Sequence, residues 1–217
     1  MHCPEQKISY NQDMSTKRYP NIILASASPR RLEIMKAHGI DPMVIPADCD
    51  ETVPEYCDVR SVPADIASRK AHAVLDILSR DDSFAVPDNA VIVAADTIVY
   101  QGPIPGHGEI MGKPRDFSQG WDMLTKLRNT HHAVITGVCM IFTATGEERV
   151  FYDLTRVWFK DYTDEELKCY LLTDEAYDKA GAYAVQGTFG KYTERLEGDY
   201  ENVIGLPWYR IEEELSK

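Results

Sequence analysis

The chain's 217 residues, 44% hydrophobic and 27% charged, supply material for a sizeable core and fit a water-soluble globular protein rather than a disordered or fibrous one. A formal net charge of −12 argues against sequence-blind binding to nucleic acid or to an anionic membrane. A polyanion would have to be met in a local basic pocket or with a bound cation.

Residues 1–20 are polar and mixed in charge, lack the apolar stretch of a signal peptide, and read as an extension ahead of one domain at 21–217. Residues 21–25 read as a strand and 29–38 as a helix stopped at Gly39. Ser28 is expected as the N-cap and Pro29 at the first helical position, which puts Arg30 and Arg31 in the first turn. Two cations there oppose the helix macrodipole by about 0.3–1 kcal/mol each, and a local rule broken in this way often marks function. Serine hydroxyls, free N–H groups and arginines after a strand suit a phosphate; a plain helix start with two solvated arginines is the alternative. Residues 42–47 look like a second strand, followed by the acidic Asp48-Cys49-Asp50-Glu51. Asp48, Asp50 and Glu51 carry hard oxygens of the kind Mg2+ or Mn2+ accepts, and would equally make a solvated acidic loop.

A long amphipathic helix is expected over 61–78, with Ile66, Ala67, Ala71, Val74, Leu75 and Leu78 on one face and Lys70 on the polar side. A polar connection at 79–89 leads to a buried strand at 90–95. Residues 98–101 extend that strand or pair with the chain beyond the Gly/Pro-rich turn at 102–108. Asp96 falls at the expected strand end, where it could ligate a metal, position a water or cap a turn. Lys113, in Gly112-Lys113-Pro114-Arg115-Asp116, is by itself a surface lysine, and no Walker A frame surrounds it. Helix is expected over 117–128, with Asp116 as its cap. Two long strands follow at 132–143 and 149–160, joined in a hairpin at Gly146, and then a helix over 163–172 opened by the capping box Thr163-Asp164-Glu165-Glu166. The glycine-rich segment 181–190 suits a loop that comes close to a ligand, and Gln186 brings an amide that both donates and accepts. Residues 199–207 read as a turn and packing element before a last helix at 207–215.

Alternating helices and strands with one antiparallel hairpin favour an α/β domain with a mixed sheet. The longest apolar runs, such as 91–95, are too short to span a bilayer. The cysteines at 3, 49, 57, 139 and 169 form no Cys-x-x-Cys pair, which points to free thiols in a reducing compartment, the cytoplasm.

Six segments, in order along the chain, resemble the Maf family of nucleotide pyrophosphatases. They are Leu24-Ala25-Ser26-Ala27-Ser28-Pro29-Arg30-Arg31, Arg69-Lys70-Ala71, Ala95-Asp96-Thr97-Ile98-Val99, Gly112-Lys113-Pro114-Arg115-Asp116, Asp178-Lys179-Ala180-Gly181-Ala182-Tyr183 with Gln186-Gly187, and Gly198-Asp199-Tyr200 through Gly205-Leu206-Pro207. The resemblance implies a Maf/ITPase-like α/β fold, with an elongated mixed β-sheet flanked by helices and two lobes around a central cleft. It also implies a homodimer that hydrolyses a nucleoside triphosphate to the monophosphate and pyrophosphate with a divalent cation, Mg2+ or Mn2+, in nucleotide house-cleaning or division control. Carried over by residue, Asp96 looks like the proton acceptor and, with Glu51, a metal ligand. Ser26, Arg31, Glu51, Lys70 and Lys113 look like the phosphate and metal shell, and Arg30, Thr97 and Gln186 match the positions that set base preference. Arg, Thr and Gln there are similar to the dTTP/UTP subgroup; the 7-methyl-GTP subgroup looks like Trp, Gln and Glu. The rival readings are a nucleotide-binding regulator of division without turnover, and a purine-directed pyrophosphatase. The extension before Tyr19 and longer loops at 79–89 and 102–108 depart from the family pattern, outside its motifs.

Overall fold

The computed structural model describes residues 21–46, 48–53, 58–81, 84, 86–104 and 106–217; the extension at 1–20 and parts of the two long loops lie outside them. Strand β1 (Asn21–Leu24), helix α1 (Pro29–Ala37) and strand β2 (Met43–Val44) open the chain. Helix α2 (Val62–Arg80), strand β3 (Ala90–Gln101), strand β4 (Glu109–Met111) and helix α3 (Phe117–Leu127) follow. The hairpin β5 (His131–Phe142) and β6 (Glu148–Phe159) leads to α4 (Asp164–Leu171), β7 (Thr193–Glu197), α5 (Tyr200–Ile204) and α6 (Trp208–Leu215). The strands form one seven-stranded mixed sheet in the order β2-β1-β3-β5-β6-β7, with β4 beside β3. Strand β1 runs parallel to β2 and β3, and the remaining pairings are antiparallel.

Residues 98–101 extend strand β3 and, from Val99 on, also pair with the chain beyond the turn at 102–108, so the strand end expected at Asp96 is not there. Strand β3 pairs with β5 without interruption from Val91 to Tyr100, so the ladder carries the chain straight through the polar Asp96-Thr97. Asp96 therefore sits inside a strand, not at its end. On the opposite edge of β3, residues 90–93 pair with β1 and residues 99–101 with β4. The stretch between them is unpaired on that edge, and the sheet opens there. The expected strand at 42–47 shrinks to two residues in β2, and α2 runs on to Arg80. The expected turn at 199–207 contains α5, whose cap Asp199 accepts from the N–H groups of Glu201 (3.1 Å) and Asn202 (3.2 Å). The caps at Asp116 and Thr163 form as the sequence implies. Ser28 occupies the N-cap position of α1 but its side chain makes no cap; its N–H donates to Ser26 Oγ (3.2 Å).

Side-chain alternation along β3 feeds two faces. Toward α2, Ile92 and Ala94 pack with Ala67, Ala71 and Val74, while Ile98 and Tyr100 pack with Val62 and Ile66. On the other face, Val91, Val93 and Ala95 meet Ile34 and Met35 of α1 with Trp208 and Ile211 of α6, while Val99 meets Leu124, Leu127 and Leu167. Each face thus has two apolar clusters. Asp96 separates the pair on the α2 side and Thr97 the pair on the other.

Asp96 lies opposite Gly137 of β5, so both face α2. A Cβ on Gly137 would stand 2.1 Å from the Ala64 nitrogen and 2.2 Å from the Pro63 carbonyl carbon. The first turn of α2 rests its backbone on this glycine. Lys70, roughly 9 Å further along the helix axis, is thereby brought within reach of Asp96. Gly137→Ala is expected to lift α2 and cost about 1–3 kcal/mol, read as a lower urea midpoint, with loss of activity. A wild-type midpoint and wild-type activity would show that this contact does not set the helix position.

Candidate active site

The opening beside β3 leads into a cleft of about 940 Å3. Ser26, Arg30, Arg31, Glu51, Lys70, Asp96, Thr97, Lys113 and Gln186 all line it, so nine side chains from six segments of the chain meet at one place.

At its centre Lys70 Nζ lies 2.7 Å from both Asp96 Oδ1 and Glu51 Oε1. The side chains of Lys70 and Asp96 are 12% and 15% exposed, that of Glu51 60%. The neighbouring Arg69 sets this up. Its guanidinium donates to the carbonyls of Asp50 and Thr52, which pins the acidic loop against α2. Asp50 is spent inside that loop, accepting from the Thr52 N–H (2.9 Å) and hydroxyl (2.5 Å). Of the three acidic candidates, Glu51 lines the cleft; Asp48 and Asp50 do not. Burial lowers the Lys70 ammonium, but the charges and hydrogen bonds of Asp96 and Glu51 outweigh it and hold its pKa above 10.5. The hydrogen bond from Lys70 holds Glu51 below the usual carboxylate value, with help from the charges of Lys113 and Arg31. Both shifts favour the charged forms of Lys70 and Glu51 at neutral pH.

Among the described residues no group of three or more His, Cys, Asp or Glu side chains converges as a metal site. Glu51 and Asp96, drawn together by one ammonium, offer two hard oxygen donors. Mg2+ is commonly held by one or two carboxylates together with substrate phosphates and waters, so this donor set fits such an ion.

The second cluster centres on Arg31. Its Nε donates to the Gly205 carbonyl (2.8 Å), Nη1 to Ser26 Oγ (3.0 Å) and Nη2 to Thr97 Oγ1 (3.2 Å). Gly205 ends α5 with φ +120, a conformation that suits glycine and turns its carbonyl to the arginine. Burial lowers the guanidinium pKa, opposed by the negative charges of Asp96 and Glu51; an arginine keeps its proton regardless.

Arg30, Lys113 and Gln186 form the rim, and no hydrogen bond holds their side chains among the described residues. The Arg30 charge, after the Lys179 hydrogen bond, helps hold Asp178 below the carboxylate range against burial. Below Gln186 the loop is anchored by Glu175, which accepts from the Thr188 N–H (2.9 Å) and hydroxyl (2.8 Å). It is also anchored by buried His132, whose Nε2 lies 2.5 Å from Tyr183 Oη. The sequence reading missed Arg69 as a clamp, Glu175, His132 and Gly205. Arg69 and Gly205 lie within motifs of the sequence; Glu175 and His132 carry no local signal.

The sequence model of the Maf-like protein family matches residues 21–217. The chain belongs to that family. A Caldicellulosiruptor bescii protein named dTTP/UTP pyrophosphatase is 37% identical over 196 residues, covering 90% of this chain and 94% of its own. A Bdellovibrio bacteriovorus protein of the same name is 38% identical over 200 residues, covering 91% and 98%. A third of that name, from Pelotomaculum thermopropionicum, is 37% identical over 196 residues, covering 90% and 95%. Among solved structures, the Staphylococcus aureus Ham1 protein aligns with a TM-score of 0.44 at 16% identity, over 79% of this chain and 93% of that one. No described helix is long and apolar enough to cross a membrane.

Burial pushes the His132 pKa from 6.5 to about 3. Between those values the unfolded chain binds a proton there that the folded chain does not, so stability falls as pH falls, by up to about 1.4 kcal/mol per pH unit. His132→Gln is expected to flatten the dependence of unfolding free energy on pH between 4 and 6 by roughly one proton. An unchanged slope would place the proton uptake elsewhere.

Proposed function

We propose that the chain is a nucleoside triphosphate pyrophosphatase that cleaves dTTP and UTP to the monophosphate and pyrophosphate. The observation that carries this reading is the pairing, in one cleft, of a carboxylate–ammonium triad with an arginine held at three points. The names of the relatives support the substrate choice. A triphosphate brings about four negative charges, so its cleavage needs positioning and neutralisation more than covalent chemistry. Arg31, already oriented, meets the phosphate chain with its two unused N–H donors, and Lys113 and Arg30 close on it from the rim. Glu51 and Asp96 would hold a divalent cation, Mg2+ or Mn2+, which when bound neutralises phosphate charge and acidifies water. Asp96 has one oxygen on Lys70, and no hydrogen bond among the described residues engages the other. That second oxygen takes the proton as water oxygen bonds to the α-phosphorus. The bond from the α-phosphorus to the bridging oxygen breaks, and pyrophosphate leaves with that oxygen.

A regulator that only binds nucleotide has no use for two carboxylates at the centre of its anion site, because they repel the ligand. Gln186 argues against a cationic purine, since a neutral amide both donates and accepts toward a uracil or thymine edge. The unpaired Cys49, Cys139 and Cys169 support work in the reducing cytoplasm; the homodimer follows from family resemblance alone.

With Mg2+, dTTP and UTP are expected to release pyrophosphate, and chelator to stop it. Asp96→Asn is expected to lower turnover by about 100-fold or more while nucleotide binding persists. Release of orthophosphate, indifference to chelator, or turnover of the variant within a few-fold of wild type would overturn the chemistry. Gln186→Glu is expected to cut kcat/KM for dTTP and UTP by roughly tenfold, about 1.4 kcal/mol, and to hurt 7-methyl-GTP less. Equal losses on all three would mean that Gln186 supports the site without reading the base.

A further inference from the structure

Behind Arg31 runs a chain of hydrogen bonds whose direction is fixed at both ends. The Asn202 carbonyl, an acceptor only, lies 2.9 Å from Thr136 Oγ1, so the Thr136 hydroxyl donates there. Thr136 Oγ1 is 3.0 Å from Thr97 Oγ1. With its own proton spent, Thr136 must accept from Thr97. Thr97 Oγ1 in turn accepts from Arg31 Nη2, a donor only. The Thr97 proton therefore points into the protein, and toward the cleft its hydroxyl presents lone pairs alone. The far end is rigid. Asn202, fully buried, donates from its amide to the Val134 carbonyl (3.1 Å) and Thr155 Oγ1 (2.9 Å), and Thr155 donates to the Asp199 carbonyl (2.8 Å).

We infer that Thr136 is a positioning residue: it fixes the Thr97 hydroxyl and, through it, the Arg31 guanidinium that receives the phosphate chain. Thr136 is 0% exposed and does not line the cleft, so it acts without touching the nucleotide. The inference rests on the proposed function for the identity of the anion. It assigns Thr97 a task apart from base reading. A threonine with one fixed proton and one occupied lone pair holds an arginine in place; it is not a free hydroxyl that adapts to a base.

Thr136→Val keeps the shape and removes the hydroxyl; Thr136→Ser keeps the hydroxyl. The measurements are pyrophosphate binding by calorimetry with Mg2+, and KM and kcat for UTP. Thr136→Val is expected to weaken pyrophosphate binding and raise KM by a common factor of roughly three- to tenfold, with kcat changed less, and Thr136→Ser to restore both. Thr97→Val breaks the chain from the cleft side, and the double variant is expected to bind pyrophosphate as Thr97→Val alone does. Should Thr136→Val fail to fold, Thr97→Val against Thr97→Ser carries the same comparison. Wild-type binding in the Val variants, loss that Ser does not restore, or additive loss in the double variant would overturn the positioning role. A wild-type protein that neither binds pyrophosphate nor releases it from UTP would instead overturn the proposed function.

Discussion

Two polar residues in the middle of a buried strand govern this structure. Strand β3 is buried on both sides of Asp96-Thr97, and its ladder with β5 continues through them. A polar side chain left unpaired in such a place costs about 1–3 kcal/mol, and a carboxylate far more. Each must therefore find a partner, and the partners come from distant elements: Lys70 of α2 for Asp96, Arg31 of α1 and Thr136 of β5 for Thr97. The cations of the site are thus also what makes the strand tolerable. Gly137 closes the logic, because only a residue without a side chain lets α2 come near enough to deliver Lys70.

The net charge of −12 and a cation-lined cleft are compatible because the positive charge is local. Arg31 also shows how a locally unfavourable placement is resolved. Beside the N-terminus of α1 it opposes the helix dipole, but its side chain bends to the Gly205 carbonyl at the C-terminal end of α5, where a cation is favourable. The rule broken at one helix is met at another 174 positions further on.

What could be read in the sequence was what local chemistry decides. The hairpin, the caps at Asp116 and Thr163 and the amphipathic α2 rest on neighbours a few residues apart, and they stand where expected. A polar pair that interrupts an apolar run reads as a strand end at Asp96, and only the distant β5 ladder overrules that. Helix α5 has five residues, too few for periodicity to show; Asp199 and buried Asn202 make it. Family motifs supplied eight of the nine cleft residues and the acidic loop the ninth, Glu51, yet Thr136 sits in a run that reads simply as buried strand. Its partners lie 39 and 66 positions away, and no window on the sequence contains them.

The cleft is rigid at its centre and loose at its rim. Lys70, Asp96, Thr97 and Arg31 are held before any ligand arrives, so little ordering entropy opposes binding there. Among the described residues no hydrogen bond holds the side chain of Arg30, Lys113 or Gln186, and each must be ordered by what it binds. Chemistry that depends on charge placed to within a fraction of an ångström belongs at the held centre. The base choice proposed for this site tolerates the looser rim. Of the three positions proposed to set base preference, 30 and 186 lie on that rim and can change without disturbing the centre. Position 97 cannot. Its hydroxyl is bonded to Arg31 on one side and Thr136 on the other, so a replacement that lacks the hydroxyl also releases the Arg31 guanidinium.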